Sequence, residues 1–132
     1  MRYLLDTNII SRRDTYQKAR TWINGHQDQI VLSIFTVAEI RQGIHLLPKG
    51  EKRAGLEKNL EEMLVEYTVL PFALAEASAW GAYVAEQITQ GRTVPLMDSF
   101  IAATAIANHL WVVTENSGDF PDVDTINPLT VP

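Results

Sequence analysis

Tyr3-Leu4-Leu5-Asp6-Thr7-Asn8, the stretch YLLDTN at residues 3–8, decides how the chain folds. Its three apolar residues stop abruptly at an acid and two polar residues. This pattern predicts a buried strand over residues 3–5 that ends in a turn. Short apolar runs of the same kind recur along the chain, and longer segments with helical spacing separate them. The opening stretch is therefore the first unit of a repeated alternation of strand and helix.

Working outward from this strand, the spacing of apolar residues predicts further strands at residues 29–32, 68–70 and 111–113, with a candidate edge strand at 124–127. Helices are predicted at residues 14–24, from Ser33 or Thr36 to residue 47, and at 49–66, 73–90 and 97–108. Helices that alternate with short strands predict an α/β sandwich around a short, mostly parallel sheet. We expect a single domain over residues 1–132.

Composition is that of an ordinary globular protein, with 46% hydrophobic and 20% charged residues. The chain has no cysteine, which excludes a disulfide framework and a thiolate metal site. We expect no membrane segment, because the longest apolar stretch, around residues 100–113, is short and interrupted by polar residues. The N-terminus is too quickly acidic for a secretory signal, so we expect a cytoplasmic protein.

Charge is distributed unevenly along the chain, although the net charge is −5. Residues 1–58 contain ten basic and six acidic residues, whereas residues 59–132 contain one basic residue and ten acidic ones. Such asymmetry predicts a basic surface beside an acidic one, unless folding mixes the two halves. Charge alone does not decide between these alternatives.

Two acidic residues follow predicted strands, Asp6 after the first and Asp119 in the loop after residues 111–113. Ligands of parallel sheets bind beyond the carboxyl ends of the strands. Two more acids lie on predicted helices. Glu39 shares a helix face with Phe35, Gly43 and Leu46, and Asp98 shares one with Ile101, Ala102 and Ala105.

Carboxylates on apolar helix faces are costly to desolvate unless they are paired. Four of them within ~4 Å would repel by about 4 kcal/mol per pair at an effective dielectric constant near 20. A hard divalent cation relieves this repulsion and prefers oxygen ligands. The sequence therefore predicts a metal site.

Each acid also has an ordinary structural role. Asp6 could be the N-cap of a helix that begins at the next residue. Asp98 could be an acid favoured in the first turn of a helix, and Asp119 a turn former. Glu39 could form an ion pair with an arginine, either Arg2 or Arg41.

Four segments together resemble a known family: LLDTNIIS (4–11), TVAEIRQGI (36–44), PLMDSFIAATA (95–105) and VVTENSGDF (112–120). They look like the PIN-domain ribonucleases, in particular the VapC/FitB-like toxins of bacterial toxin–antitoxin pairs. The resemblance covers essentially the whole chain and implies a PIN-like α/β/α sandwich. The combination of DTN, AEI and MDxxIAATA in this order is specific, although any one of them alone is not.

The resemblance implies a catalytic quartet that also holds Mg²⁺ or Mn²⁺, formed by Asp6 of DTN, Glu39 of AEI, Asp98 of the MD helix start and Asp119 of the final DF. It implies polar support from Thr7, Asn8, Thr114 and Asn116. The chain departs from the family pattern at three positions. Arg12 stands where Glu is common, Ser99 where a small residue is usual, and Glu115 where Arg or Lys is common.

The activity implied by the resemblance is endoribonuclease cleavage, with metal-activated water hydrolysing RNA phosphodiester bonds. We expect Arg12, Arg13 and Arg41 to contact the RNA. The implied partners are a VapB/FitA-like antitoxin whose C-terminal segment blocks the site, a second copy of the chain in a homodimer, and operator DNA only through the antitoxin. The alternative is a catalytically silent PIN-like module that binds RNA or a protein.

Overall fold

The computed structural model describes residues 1–131 and contains one five-stranded sheet. The strands are β1 (Tyr3–Leu5), β2 (Ile30–Ser33), β3 (Thr68–Leu70), β4 (Trp111–Val113) and β5 (Thr125–Ile126), in the spatial order β3-β2-β1-β4-β5. Every pairing in this sheet is parallel. The predicted α/β class is confirmed, the four main strands lie within one residue of their predicted positions, and the edge strand exists.

The helices are α1 (Thr7–Arg12), α2 (Gln17–Gly25), α3 (Ile34–His45), α4 (Glu51–Glu66), α5 (Leu74–Thr89) and α6 (Leu96–Asn108). One-turn 3₁₀ helices cover Gln27–Gln29 and Ser117–Asp119. The prediction of a turn after the first strand is wrong, because α1 begins there. The other five helices were predicted, with boundaries that differ by at most three residues.

Side chains of the strands alternate between two apolar clusters, one on each face of the sheet. Leu4 and Val112 pack into the cluster that contains Ile101 of α6. Their neighbours Leu5 and Val113 pack into the second cluster, with residues of α1, α2 and α4. The sheet is therefore covered on both faces, which confirms the predicted sandwich.

The strand order places β1 at the centre, with β2 and β4 on either side. The chain runs from β1 through β2 to β3 in one direction, and β4 then lies on the opposite side of β1. Such a reversal opens a crevice at the carboxyl ends of the central strands. Asp6 follows β1 and Thr114 follows β4, so both residues lie at this crevice.

No helix within residues 1–131 combines the length and apolar character needed to cross a bilayer.

Candidate active site

Asp6 is buried and held from three sides at the end of β1, with 5% of its surface exposed. Its backbone N–H donates to the carbonyl oxygen of Val113 at 2.9 Å, which joins the ends of the two central strands. Its Oδ1 accepts from the N–H of Thr7 at 2.8 Å, and its Oδ2 accepts from the hydroxyl of Thr114 at 2.9 Å. Asp6 is thus also the N-cap of α1, as its ordinary role predicts.

A chain of hydrogen bonds extends from Asp6 in both directions. The Thr7 hydroxyl donates to Oε1 of Glu39 at 2.8 Å, which links α1 to α3. On the other side, the Thr114 oxygen that donates to Asp6 accepts from the backbone N–H of Asn116 at 3.0 Å. Residues of three of the four sequence segments are therefore joined in one network. The hydroxyls of Thr7 and Thr114 are the donors that link Glu39 and Asp6 into this network.

Asp98 lies in the first turn of α6, where Ile101, Ala102 and Ala105 are fully buried as predicted. Burial raises the pKa of Asp98 from its ordinary 3.8 to about 7, with further contributions from the charges of Asp6, Asp119 and Glu39. The pKa of Asp6 is raised as well, chiefly by burial, and the charges of Glu39 and Asp119 add to this rise. The four predicted carboxylates thus lie near enough to perturb one another electrostatically.

Asp119 occupies the last position of the 3₁₀ turn Ser117–Asp119 and is exposed. Its backbone N–H donates to the carbonyl of Asn116 at 3.0 Å, which closes the turn. Two residues further along, the carbonyl of Pro121 accepts from the hydroxyl of the buried Tyr83 at 2.7 Å. The loop that carries Asp119 is therefore tied to α5 as well as to β4.

Glu39 does not lie on the apolar stripe that its helical spacing predicted. Leu46 is 80% exposed and Gly43 is exposed, so only Phe35 of the predicted face packs against the core. The inward row of α3 contains Thr36 and Ile44, which are 0% and 2% exposed. Glu39 is half-buried at the border of this row, where the Thr7 hydroxyl meets it. The expected alternative of an ion pair with an arginine is not observed for Glu39 within residues 1–131.

The donor set suits a hard divalent cation, because every candidate ligand is a carboxylate oxygen and neighbouring carboxylates help to raise the pKa values of Asp6 and Asp98. Asn8 of the same motif adds a buried side-chain oxygen that has no hydrogen-bond partner among the described residues. Across residues 1–131, however, no three acidic or histidine side chains converge closely enough to hold an ion directly. The residues therefore fit a cation that is bound partly through water.

Arg12 at the end of α1 and the following Arg13 each lie near an acidic side chain. Nε of Arg12 lies 3.0 Å from Oε1 of Glu115, and the Arg12 guanidinium lies 5.1 Å from the ring centre of Tyr16. Arg13 lies 3.9 Å from Asp14. Sequence reasoning missed the contact between Arg12 and Glu115. The signal was present, because both residues depart from the pattern of the family that the chain resembles.

A groove of about 380 Å³ lies between α1, α3 and α4. Apolar side chains line it, among them Ile10, Ile40 and Met63. Glu39 and Thr7 belong to the same lining, so the groove adjoins the carboxylates, and Arg13 and Lys52 contribute positive charge. The third predicted RNA contact, Arg41, is exposed on α3.

Comparison with known proteins agrees with the fold described above. The PIN domain family model matches residues 3–126. The chain is 34% identical to VapC ribonuclease Y4jK of Sinorhizobium fredii and 34% identical to toxin FitB of Neisseria gonorrhoeae, in each case over 95% of this chain and 96% of the relative. It is also similar to the crystal structure of FitAcB from Neisseria gonorrhoeae, with a TM-score of 0.91, 33% identity, and coverage of 98% of this chain and 99% of that one.

Proposed function

Because this chain belongs to the PIN domain family, we propose that it is a metal-dependent endoribonuclease and the toxin of a toxin–antitoxin pair. The relatives named VapC ribonuclease and toxin FitB support this activity and role. The observation that carries the proposal is Asp98, whose pKa is raised to about 7 by burial and by three neighbouring carboxylates. A protein keeps such an arrangement at a cost in stability, which a bound cation offsets.

Mg²⁺ or Mn²⁺ would be held by Asp6, Glu39, Asp98 and Asp119, with water in the positions that the carboxylates do not reach. When bound, the cation supplies positive charge to the scissile phosphate and lowers the pKa of a water molecule that attacks it. The contribution of the chain is to orient the ligands. Asp6 accepts hydrogen bonds at both carboxylate oxygens, so its orientation is set before any ion arrives.

Asp98 also makes ion binding depend on pH. At pH values below about 7 its carboxylate holds a proton in the folded protein. This proton would have to leave before Asp98 could hold the cation, since a metal ligand must be deprotonated. Affinity for the cation is therefore expected to rise with pH until Asp98 is fully ionised.

The groove between α1, α3 and α4 suits the C-terminal segment of a VapB/FitA-like antitoxin. Its apolar lining would bury apolar side chains of that segment, and Glu39 in the same lining would accept a basic one. Arg13 and Arg41 would contact the RNA, whereas Arg12, which was also expected to do so, is paired with Glu115. We further propose a cytoplasmic homodimer that reaches operator DNA only through the antitoxin.

RNA cleavage assays test the proposal directly. We expect the wild-type chain to cleave RNA with Mg²⁺ or Mn²⁺ and to lose this activity in EDTA. Asp6→Ala and Asp98→Ala should abolish cleavage, whereas Asp28→Ala, which removes an exposed acid of the turn Gln27–Gln29, should leave it unchanged. Cleavage that persists in EDTA, or in both site variants, would exclude the metal mechanism. RNA binding without cleavage in either metal would instead favour the silent module.

A further inference from the structure

The two charged departures from the family pattern, Arg12 and Glu115, are the partners of a single ion pair. The distance from Arg12 Nε to Glu115 Oε1 is 3.0 Å, although 103 positions separate the residues in sequence. The Glu115 side chain is 19% exposed and the Arg12 side chain is 42% exposed. The ring of Tyr16 lies beside the guanidinium, at 5.1 Å, and limits where it can move.

This ion pair completes a closed ring of contacts around Asp6. Asp6 caps the first turn of α1, and Arg12 is the last residue of that helix. Glu115 directly follows Thr114, and the Thr114 hydroxyl donates back to Asp6. A displacement of the loop at Glu115 therefore reaches Asp6 by two short paths, one through Thr114 and one through Arg12 and the six residues of α1.

The same ion pair holds one end of the loop that carries Asp119. The other end is held by α5, where the Tyr83 hydroxyl donates to the carbonyl of Pro121, and by the segment after α5, where Arg92 lies 2.9 Å from Asp122. Asp119 lies between these two anchors. The placement of Asp119 relative to Asp6 therefore depends on both of them.

We propose that Arg12 and Glu115 are a positioning pair, whose contact sets the place of Thr114 and Asp119 relative to Asp6. The expected effect on kcat rests on the proposed function, whereas the placement of Thr114 and Asp119 does not. The two charges are interchangeable in this role, because an ion pair of reversed polarity would still join the end of α1 to the loop after β4. Arg12 then serves the site through Glu115, and its charge is largely neutralised toward RNA.

Removal of the charges one at a time separates positioning from RNA contact. We expect Arg12→Gln and Glu115→Gln each to lower kcat about tenfold with little change in KM, because small misplacements at a site are costly. The double variant should be no worse than either single variant. If Arg12 instead binds phosphate, Arg12→Gln raises KM, and Glu115→Gln leaves activity intact or improves it. That result would overturn the proposal.

Charge reversal provides the second test. Arg12→Glu and Glu115→Arg should each reduce kcat at least as strongly as the neutral variants, and the double reversal should return kcat to within about threefold of the wild type. The matched control is the pair Arg53–Glu57 on α4, which has a similar distance of 3.1 Å and lies away from the carboxylates. Arg53→Gln and Glu57→Gln should leave kcat within about twofold, because a partly exposed ion pair contributes little by itself.

Amide hydrogen exchange distinguishes failure of this inference from failure of the proposed function. The N–H of Asn116 donates to Thr114, and the N–H of Asp119 donates to Asn116. We expect both amides to exchange about tenfold faster than in the wild type in each single neutral variant. The double variant should exchange no faster than the single variants. Unchanged exchange would overturn the inference whatever the activity. Faster exchange in a chain that never cleaves RNA would refute the proposed nuclease alone.

Discussion

Asp98→Asn should make the metal-free protein more stable at pH 8. Asparagine has nearly the same shape and no charge, so it removes an ionised carboxylate from a site that raises its pKa from 3.8 to about 7. Because the pKa is raised in the folded state, ionisation favours the unfolded chain. The destabilising effect begins above pH 3.8, grows as the pH rises, and is complete above about pH 7.

The difference between these two pKa values corresponds to about 4 kcal/mol, at ~1.4 kcal/mol for each tenfold change in proton affinity. Asp98 is only half-buried, so solvent screening reduces the expected gain to about 1–2 kcal/mol. For a chain of this size, that gain raises Tm by about 4–8 °C. The gain should shrink toward zero as the pH falls to 4.

Chemical and thermal unfolding in EDTA, at several pH values, measures this effect. Addition of Mg²⁺ or Mn²⁺ should then stabilise the wild type and have little effect on Asp98→Asn, because a ligand stabilises only the state that binds it. Asp124→Asn, which removes an exposed acid, is the control and should change neither result. If Asp98→Asn is less stable than the wild type at pH 8 in EDTA, the electrostatic reasoning is wrong.

Three further outcomes are expected. Thr114→Val removes the donor to Asp6 and should lower the free energy of unfolding by about 1–3 kcal/mol in denaturant titrations. Thr114→Ser keeps the hydroxyl and should retain most of the stability. Equal losses in the two variants would contradict the role of the hydroxyl. The affinity for Mn²⁺, measured by titration, should rise up to about tenfold per pH unit below pH 7 and level off above it; a flat profile would argue against proton release from Asp98. Ile101→Ala, at a position that is 0% exposed, should cost about 2–5 kcal/mol, and a change below 1 kcal/mol would contradict tight packing there.

Much of the fold was predictable from the sequence because the strands are short and apolar on both faces. Residues 3–5, 68–70 and 111–113 were predicted with their observed bounds. Helix α1 was predicted only as the alternative in which Asp6 is an N-cap, since it has only six residues and begins with Thr and Asn, which are typical of turns. The helix starts where Asp6 caps it, and Asp6 was interpreted from the sequence mainly as evidence for a metal site.

The site was predictable in its residue types and less so in its geometry. Local spacing placed Asp98 on a buried face correctly, because α6 is covered along most of its length. It failed for Glu39, because α3 buries only a narrow row and apolar Leu46 is left exposed. The pairing of Arg12 with Glu115 joins residues 103 positions apart, so no local pattern could have revealed it.

Thr7 and Glu39 are hydrogen-bonded to each other beside the other carboxylates, and both also line the groove between α1, α3 and α4. A cation beside the carboxylates and a peptide in the groove would therefore share two side chains. Sharing of this kind couples the two binding equilibria, and by linkage any change that one occupant makes in the affinity of the other is returned by the same factor. The same coupling free energy would then govern both the release of an inhibitory peptide and the uptake of the cation.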